Sequence, residues 1–261
     1  MSRWLVTHIP SWWLLIALVV GIVGVAIGVQ TLLRRRFPKV TEGKQNDVLV
    51  FGFAVVGVVY AIIMGFLISV LWGEVTHASN LAQTEGSYAI QMARYTEAFD
   101  EPVRSRLRED LLEYQRALLV EFDEVSRGGK LFTAEGALER LRATYAEIQP
   151  RDDIQRAALA GSLDSLKETT LDRTQRVLIA EEDVGPPPAI WTVIILTSTL
   201  VLAFAIFFGE AQARMHTLIV ATIGVLVAGN IFLVMELAYP YLGFGTSASS
   251  LHAIDDILQQ G

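Results

Sequence analysis

The chain has 261 residues, of which 52% are hydrophobic and 49 are charged, and its formal net charge is -7. It contains no cysteine, which excludes disulfides, thiolate metal sites, iron-sulfur ligation and cysteine nucleophiles. An acidic chain without a clustered basic face gives no support for a nucleic-acid partner.

Four apolar stretches reach the roughly 20 residues that a bilayer core of about 30 Å requires. They cover residues 12–33, 48–73, 189–208 and 217–238. The first is longer than a signal-peptide core, and its arginine cluster follows the apolar run instead of preceding it. We therefore predict four membrane spans, numbered one to four in chain order.

Lys and Arg residues in the short loops predict the orientation of these spans. The two short loops hold six of them: Arg34, Arg35, Arg36, Lys39, Lys44 and Arg214. The opposite flanks hold only Arg3 and Arg176. We expect a multi-pass protein of the bacterial inner membrane, with the short loops in the cytoplasm. Both termini and the segment between spans two and three would lie on the periplasmic side.

The segment between spans two and three predicts a helical bundle. Residues 74–188 contain 22 acidic and 14 basic side chains, and apolar residues recur every three or four positions. A coiled-coil seam is predicted through Ala78, Leu81, Glu85, Tyr88, Met92, Tyr95 and Phe99. A further apolar line, on the last helix of the segment, passes through Leu159, Leu163, Leu166, Thr170 and Val177. Gly128-Gly129 ends a helix that lies between these two lines in the sequence.

The predicted fold is an all-α membrane protein with four transmembrane helices and a helical-bundle insertion between spans two and three. Its predicted divisions are residues 1–73 with spans one and two, residues 74–188 with the bundle, and residues 189–261 with spans three and four and the C-terminal tail. No proline occurs between Pro38 and Pro102, so the first bundle helix should continue span two, from about Asn46 to Phe99.

Span two carries a small residue at every fourth position: Gly57, Ala61, Gly65, Ser69 and Gly73. Small residues let helices approach closely in lipid. Span one has a matching line at Ala17, Gly21, Gly24 and Gly28, so packing of spans one and two is the preferred interpretation. The alternative is that part of the stripe faces a neighbouring subunit or a pore, with Ile62, Phe66 and Val70 as candidates for an apolar constriction.

The spans contain no charged side chain in their cores, apart from Glu236 at the outer end of span four, which disfavours pumps and voltage sensors. Midplane polar groups are limited to Thr197, Ser198, Thr199 and Asn230. Interhelical hydrogen bonds are their simpler interpretation, and a hydrated path is the alternative.

Glu85 interrupts the predicted seam, where an unpaired carboxylate would be destabilising. We expect Arg173 or Arg176 as its partner. If the bundle forms a vestibule at one mouth of a pore, His77, two turns nearer the membrane, would line it. The four histidines are scattered without metal-binding spacing, and no Walker A, GxSxG or GxGxxG motif occurs. The sequence therefore predicts neither a metal site, a cofactor nor an enzyme.

Several motifs together resemble the bacterial bestrophin-like membrane-domain family of uncharacterised function. They are Trp72, Ala78 and Glu85, then Tyr114, Glu121 and Phe122, then Arg173, Arg176, Pro186-Pro187-Pro188, Trp191 and Pro240-Tyr241-Leu242-Gly243. The resemblance extends from about residue 48 to the end. It departs from the family at Ala238 and Tyr241, where Asp and Phe are expected, so that Glu236 would have to replace the Asp.

The resemblance implies a homo-oligomer, a pentamer, in which span two lines a central pathway for anions. Its expected partners are further copies of the chain, membrane lipids and small inorganic ions. True bestrophins keep their helical region in the cytoplasm, whereas the Lys and Arg count here places it outside. The rival hypothesis is a non-conducting scaffold or sensor that couples the bundle to the membrane.

Overall fold

The computed structural model describes residues 6, 8–36, 46–126, 134–181, 186–207 and 213–241. Within these residues the chain is helical and contains no strand. Its seven α-helices are α1 (Ser11–Arg36), α2 (Asn46–Tyr95), α3 (Val103–Ser126), α4 (Glu135–Glu147), α5 (Asp153–Glu181), α6 (Pro188–Phe207) and α7 (Ala213–Leu237).

Four of these helices are long and apolar enough to cross a membrane: α1, α2, α6 and α7. The apolar part of α2 ends near Gly73, and residues 50–73 are called span two below. The helix that the sequence predicts from about Asn46 to Phe99 is α-helical to Tyr95 and continues as a 3-10 turn, Thr96–Ala98. Its 50 residues correspond to roughly 75 Å of helix.

The chain divides into two compact units. The membrane unit comprises Met1–Gly73 and Val184–Ala238, and the bundle unit comprises Glu74–Asp183 and Tyr239–Gly261. The segment after span four thus groups with the bundle, where the Tyr241 hydroxyl donates to the Ala78 carbonyl at 3.4 Å. The predicted division had left this segment with spans three and four.

Within the membrane unit, α1 packs chiefly on α7, and α6 packs on both. Small residues allow the α1–α7 approach, because a Cβ added at Gly224 would lie 3.0 Å from Val23 Cγ2. A core of Ala26, Ala205, Ile206 and Val220 joins the three helices.

Within the bundle unit, four helical segments enclose one apolar core. Its largest buried members are Met92, Phe99, Leu107, Leu111, Tyr114, Leu118, Leu141 and Tyr145. Local capping defines the start of α5, since Asp152 Oδ1 accepts from the Gln155 N–H at 2.7 Å. The predicted helix end at Gly128-Gly129 lies outside the described residues.

Two predicted apolar lines of the bundle are wrong in part. Tyr88 is only half-buried and Tyr95 is exposed, because the buried face runs through Ala89 and Met92 of α2 and on to Thr96 in the 3-10 turn. Tyr95 instead covers Gly161, where an added Cβ would lie 2.7 Å from Tyr95 Cζ.

The predicted line on α5 is wrong only at Leu163, since Leu166 belongs to the bundle core and Leu159 and Val177 pack against that core. Leu163 is exposed, while Gln155, Ser162, Ser165, Thr169, Arg173 and Arg176 are buried together with Ala158 and Leu166. Apolar periodicity could not predict these charged and hydroxyl groups, because it locates only the apolar part of a buried face.

Candidate functional site

Span two presents its small-residue stripe on the surface of the single chain. Ala61, Gly65, Ser69 and Gly73 are exposed, and Gly57 is half-buried. A Cβ added at Gly57, Gly65 or Gly73 would have no heavy atom within 4 Å. Within the described chain, no neighbouring helix fills the space beside these glycines.

The small residues of span one are equally open. A Cβ added at Gly21, Gly24 or Gly28 would also meet nothing within 4 Å, and Ala17 is exposed. The preferred sequence interpretation, close packing of spans one and two through both lines, is therefore wrong. The buried residues of span two are instead the large side chains Tyr60, Met64 and Leu71, and the Tyr60 hydroxyl accepts a hydrogen bond from Asn230 on α7.

The constriction candidates form a line next to the stripe, shifted by one residue along the helix. Ile62, Phe66 and Val70 are 53%, 72% and 63% exposed. Both lines therefore lie on the part of span two that the described residues of its own chain leave largely uncovered.

The midplane polar residues do not converge on one point. The Thr197 and Thr199 hydroxyls donate to the carbonyls of Val193 and Ile195, four residues earlier in their own helix, at 2.8 and 2.7 Å. The Ser198 hydroxyl is buried without a hydrogen-bond partner among the described residues. On span four, Asn230 Nδ2 donates to the Tyr60 hydroxyl at 3.4 Å, which links α7 to α2.

In the bundle unit, Glu85 belongs to a buried network of charges. Arg176 donates from Nε to Glu85 Oε2 at 3.1 Å and from Nη2 to Glu121 Oε1 at 2.8 Å. Arg173 Nη2 donates to Glu121 Oε2 at 2.9 Å, and the Tyr114 hydroxyl donates to Glu85 Oε1 at 2.9 Å. Both arginines named as candidates from the sequence thus join the network, and Arg176 is the one that contacts Glu85.

The network is neutral as a whole, because two carboxylates face two guanidinium groups. All four charged residues are buried, so water contributes little to their solvation. The guanidinium of Arg176 also stacks over the Phe122 ring, 4.5 Å from its centroid. Glu121 accepts a further bond from the Ala134 N–H at 3.0 Å, which fixes the start of α4.

Burial sets the protonation behaviour of the network. It raises the pKa of Glu85, and the attraction of Arg176 and the Tyr114 hydrogen bond only partly offset this effect. Burial, together with the neighbouring Glu85 carboxylate, also raises the pKa of Tyr114 well above its usual range. Tyr114 consequently keeps its proton and acts as a donor to Glu85.

Two further predicted residues lie apart from this network. His77 is exposed and interacts electrostatically with Asp172. Burial and then Glu168 raise the pKa of Asp172, and His77 opposes that rise. Glu236 is buried at the end of α7, beside Ser11.

No group of three or more His, Asp or Glu side chains could hold a metal ion in the part of the chain that the structure describes. Sequence reasoning did not identify Glu121 as the second carboxylate that accepts hydrogen bonds from Arg176. The available signal was its position directly before the apolar residue Phe122, and the structure buries both side chains.

Taken together, these features define a helical membrane protein with four candidate spans and a charged core in its bundle. The chain matches the family model of the bestrophin-like domain over residues 20–246, and it therefore belongs to the bestrophin-like family. No match was found among curated proteins or among solved structures.

Proposed function

We propose that the protein is an oligomeric bestrophin-like ion channel in which span two lies near the pore axis. The observation that carries the proposal is the open stripe on span two, because no heavy atom of the described residues lies within 4 Å of a Cβ added at Gly57, Gly65 or Gly73. In lipid, close helix packing through small residues is a main source of association energy. Such a surface is best explained by contact with further copies of the chain.

The exposed line of Ile62, Phe66 and Val70 supplies the apolar constriction of this channel. Hydrophobic constrictions gate channels by dewetting. The positive edge of an aromatic ring also attracts anions, so Phe66 suits the passage of chloride better than that of potassium.

Anion conduction is part of the proposal and is supported by family membership. The acidic bundle argues the other way, because residues 74–188 carry eight more acidic than basic side chains and would concentrate cations. Selectivity would then be set within the uncharged span two and not by a vestibule formed from the bundle. The assembly number of five is likewise proposed by analogy with the bestrophins.

The proposed location is the bacterial inner membrane, with the bundle and both termini on the periplasmic side. Because the chain lacks cysteine, one introduced at the exposed position Glu139 provides a test. A membrane-impermeant maleimide should label E139C in cells with an intact inner membrane. Labelling only after that membrane is permeabilised would place the bundle in the cytoplasm.

A second candidate function is a non-conducting scaffold or sensor. It is favoured by apolar side chains that the bundle leaves exposed on one side of α5: Leu163, Leu171 and Leu178. An exposed apolar face of this kind suits a protein partner. A pore profile of the assembled oligomer separates the two functions, since a continuous axial path beside span two supports the channel and a sealed axis supports the scaffold.

A further inference from the structure

The outward face of α2 in the bundle unit is polar but uncharged. Between Thr76 and Gln91 the exposed side chains end in hydroxyl, amide or imidazole groups: Thr76, His77, Asn80, Gln83, Ser87 and Gln91. No Asp, Glu, Lys or Arg side chain is exposed in this part of α2. The charged residue within it, Glu85, is buried and paired with Arg176.

Five of these residues form one line along the helix: Thr76, Asn80, Gln83, Ser87 and Gln91. They follow one another at intervals of three or four residues, so their side chains lie within about 80° of arc on an α-helix. The line extends over roughly 22 Å of helix, and His77 lies at its margin. It is called the neutral line below.

The other three helices of the bundle unit expose charges of both signs. These charges include Arg106 and Glu113 on α3, Glu139 and Arg140 on α4, and Asp164 and Lys167 on α5. Contact with water therefore does not by itself explain the neutral line, because the other water-facing surfaces of the same unit are charged. The lack of charge along α2 needs a cause that acts on this face alone.

The neutral line is also a poor surface for a protein partner. Between His77 and Arg94, α2 exposes no large apolar side chain. The cores of protein interfaces are instead enriched in aromatic and other apolar groups. Water and small solutes are therefore the occupants that this face suits.

The chemistry of the neutral line fits small anions. Hydroxyl and amide groups donate hydrogen bonds, and a line without carboxylates does not repel negative charge. Arg94 follows Thr76 by 18 residues, or about five turns, so it continues the same side of the helix. Arg94 is exposed in the last turn of α2. The exposed charge on this side of α2 is therefore positive, although residues 74–188 as a whole are acidic.

We propose that the neutral line and Arg94 border a hydrated path along which small monovalent anions, such as chloride, pass the bundle of the assembled protein. The inference rests on the proposed channel, whose span two belongs to the same helix. It adds the residues that an anion meets outside the membrane. It also accounts for the passage of anions beside an acidic bundle, since the path follows a face that exposes no carboxylate.

The test is chloride flux into liposomes that contain the full-length protein with a single introduced cysteine. The chain has no cysteine of its own, so Gln83→Cys places one thiol on the neutral line. Gln175→Cys, at an exposed position of α5, is the matched control. Before reconstitution, each variant is modified with a methanethiosulfonate that adds either a sulfonate or a trimethylammonium group. Intact mass spectrometry measures the labelled fraction of each variant.

In Gln83→Cys, chloride flux with the sulfonate should be about threefold or more below the flux with the trimethylammonium group, the scale of one Coulomb interaction in water over a few ångströms. Gln175→Cys should show equal fluxes with the two groups. Arg94→Gln should lower the flux about twofold at low salt, and Arg94→Lys should retain it, since the charge acts through a screened field. Arg116→Gln, at an exposed position of α3, should leave the flux unchanged.

Equal responses of Gln83→Cys and Gln175→Cys to the two groups would overturn the inference and leave the channel in place. Failure of Gln83→Cys to react in the assembled protein, under conditions that label Gln175→Cys completely, would overturn it as well, because the line would then be buried between copies. A protein without chloride flux before modification would contradict the channel itself, and the inference would fall with it. Asn80→Cys is a second variant in case Gln83→Cys does not assemble, and it must show the same dependence on charge.

Discussion

Arg176 donates from Nε to Oε2 of Glu85 over 3.1 Å, although 91 residues separate them in the chain. The contact joins α2 to α5, and the other donor of Arg176 joins α5 to Glu121 on α3. One guanidinium thus connects three helices of the bundle unit. Its two carboxylate partners are both fully desolvated, so its removal would leave two buried negative charges poorly compensated.

Arg176→Met should strongly destabilise the bundle unit. Breaking a buried ion pair by removing one partner costs about 3–5 kcal/mol. The measurement is the free energy of unfolding of the purified protein in detergent, followed by circular dichroism during chemical denaturation. Arg106→Met is the matched control, because Arg106 pairs with Glu147 on the surface and such pairs contribute about 0–1 kcal/mol. Equal losses for the two variants would show that the buried network has no special role.

Tyr114→Phe removes the hydroxyl that donates to Glu85 and leaves the aromatic ring in place. A hydrogen bond to a charged acceptor is worth about 1.5–3 kcal/mol. We expect a loss of that size in the same unfolding experiment. A variant as stable as the original chain would contradict the geometry, since Glu85 would then not depend on this donor.

The stability of the protein should depend on pH through Glu85. Burial raises its pKa in the folded state, so the folded chain holds this proton more tightly than the unfolded chain does. The resulting contribution is fully present below the unfolded-state pKa and is lost as the pH rises through the raised, folded-state pKa. Glu85→Gln should lack this loss, and its stability relative to the original chain should therefore rise with pH over that window. If the stability of Glu85→Gln relative to the original chain instead falls as the pH rises through this window, the pKa of Glu85 is not raised in the folded state.

Gly65→Leu should weaken self-association of the protein. A leucine at the open stripe would hold the neighbouring backbone away. We expect self-association to weaken by about tenfold or more, which corresponds to ~1.4 kcal/mol. The readout is the mass of the detergent-solubilised particle by native mass spectrometry. Gly229→Leu on span four is the control, because it makes the same change at an equally open glycine that lies outside the stripe. If Gly65→Leu leaves the particle mass unchanged, the stripe is not a subunit contact.

Phe66→Ala should increase ion flux if span two forms the constriction. Removing a large apolar side chain widens the pore and eases wetting. A rise of about 3- to 10-fold corresponds to a barrier lowered by ~0.7–1.4 kcal/mol. Val20→Ala, at an exposed position of span one, should leave the flux unchanged. Equal effects of the two substitutions would mean that Phe66 faces lipid.

The sequence was sufficient to predict the helices, because apolar stretches of about 20 residues and helix-interrupting residues such as proline act through local sequence alone. It also predicted a cationic partner for Glu85, because Glu85 lies on the predicted buried seam and burial of an unpaired charge is very unfavourable. It could not predict that Tyr95 turns away from the core or that the buried face of α5 also carries charged and hydroxyl groups. Those features depend on which helices meet, and hydrophobic periodicity describes only one helix at a time.

The Arg34–His216 contact is a further example of what a sequence pattern cannot show. His216 has no spacing typical of a metal site, and Arg34 reads as part of a basic loop. Their proximity follows from the antiparallel packing of α1 and α7 across 182 residues of chain. The same holds for the open space beside Gly65, which shows that span one of the same chain does not pack there.

Ion flux into liposomes that contain the purified full-length protein tests the channel most directly. Chloride and potassium fluxes are measured separately, at several pH values and with and without calcium. We expect a protein-dependent chloride flux that exceeds the potassium flux and is reduced by Gly65→Leu. An absence of flux for both ions under all of these conditions would contradict the channel.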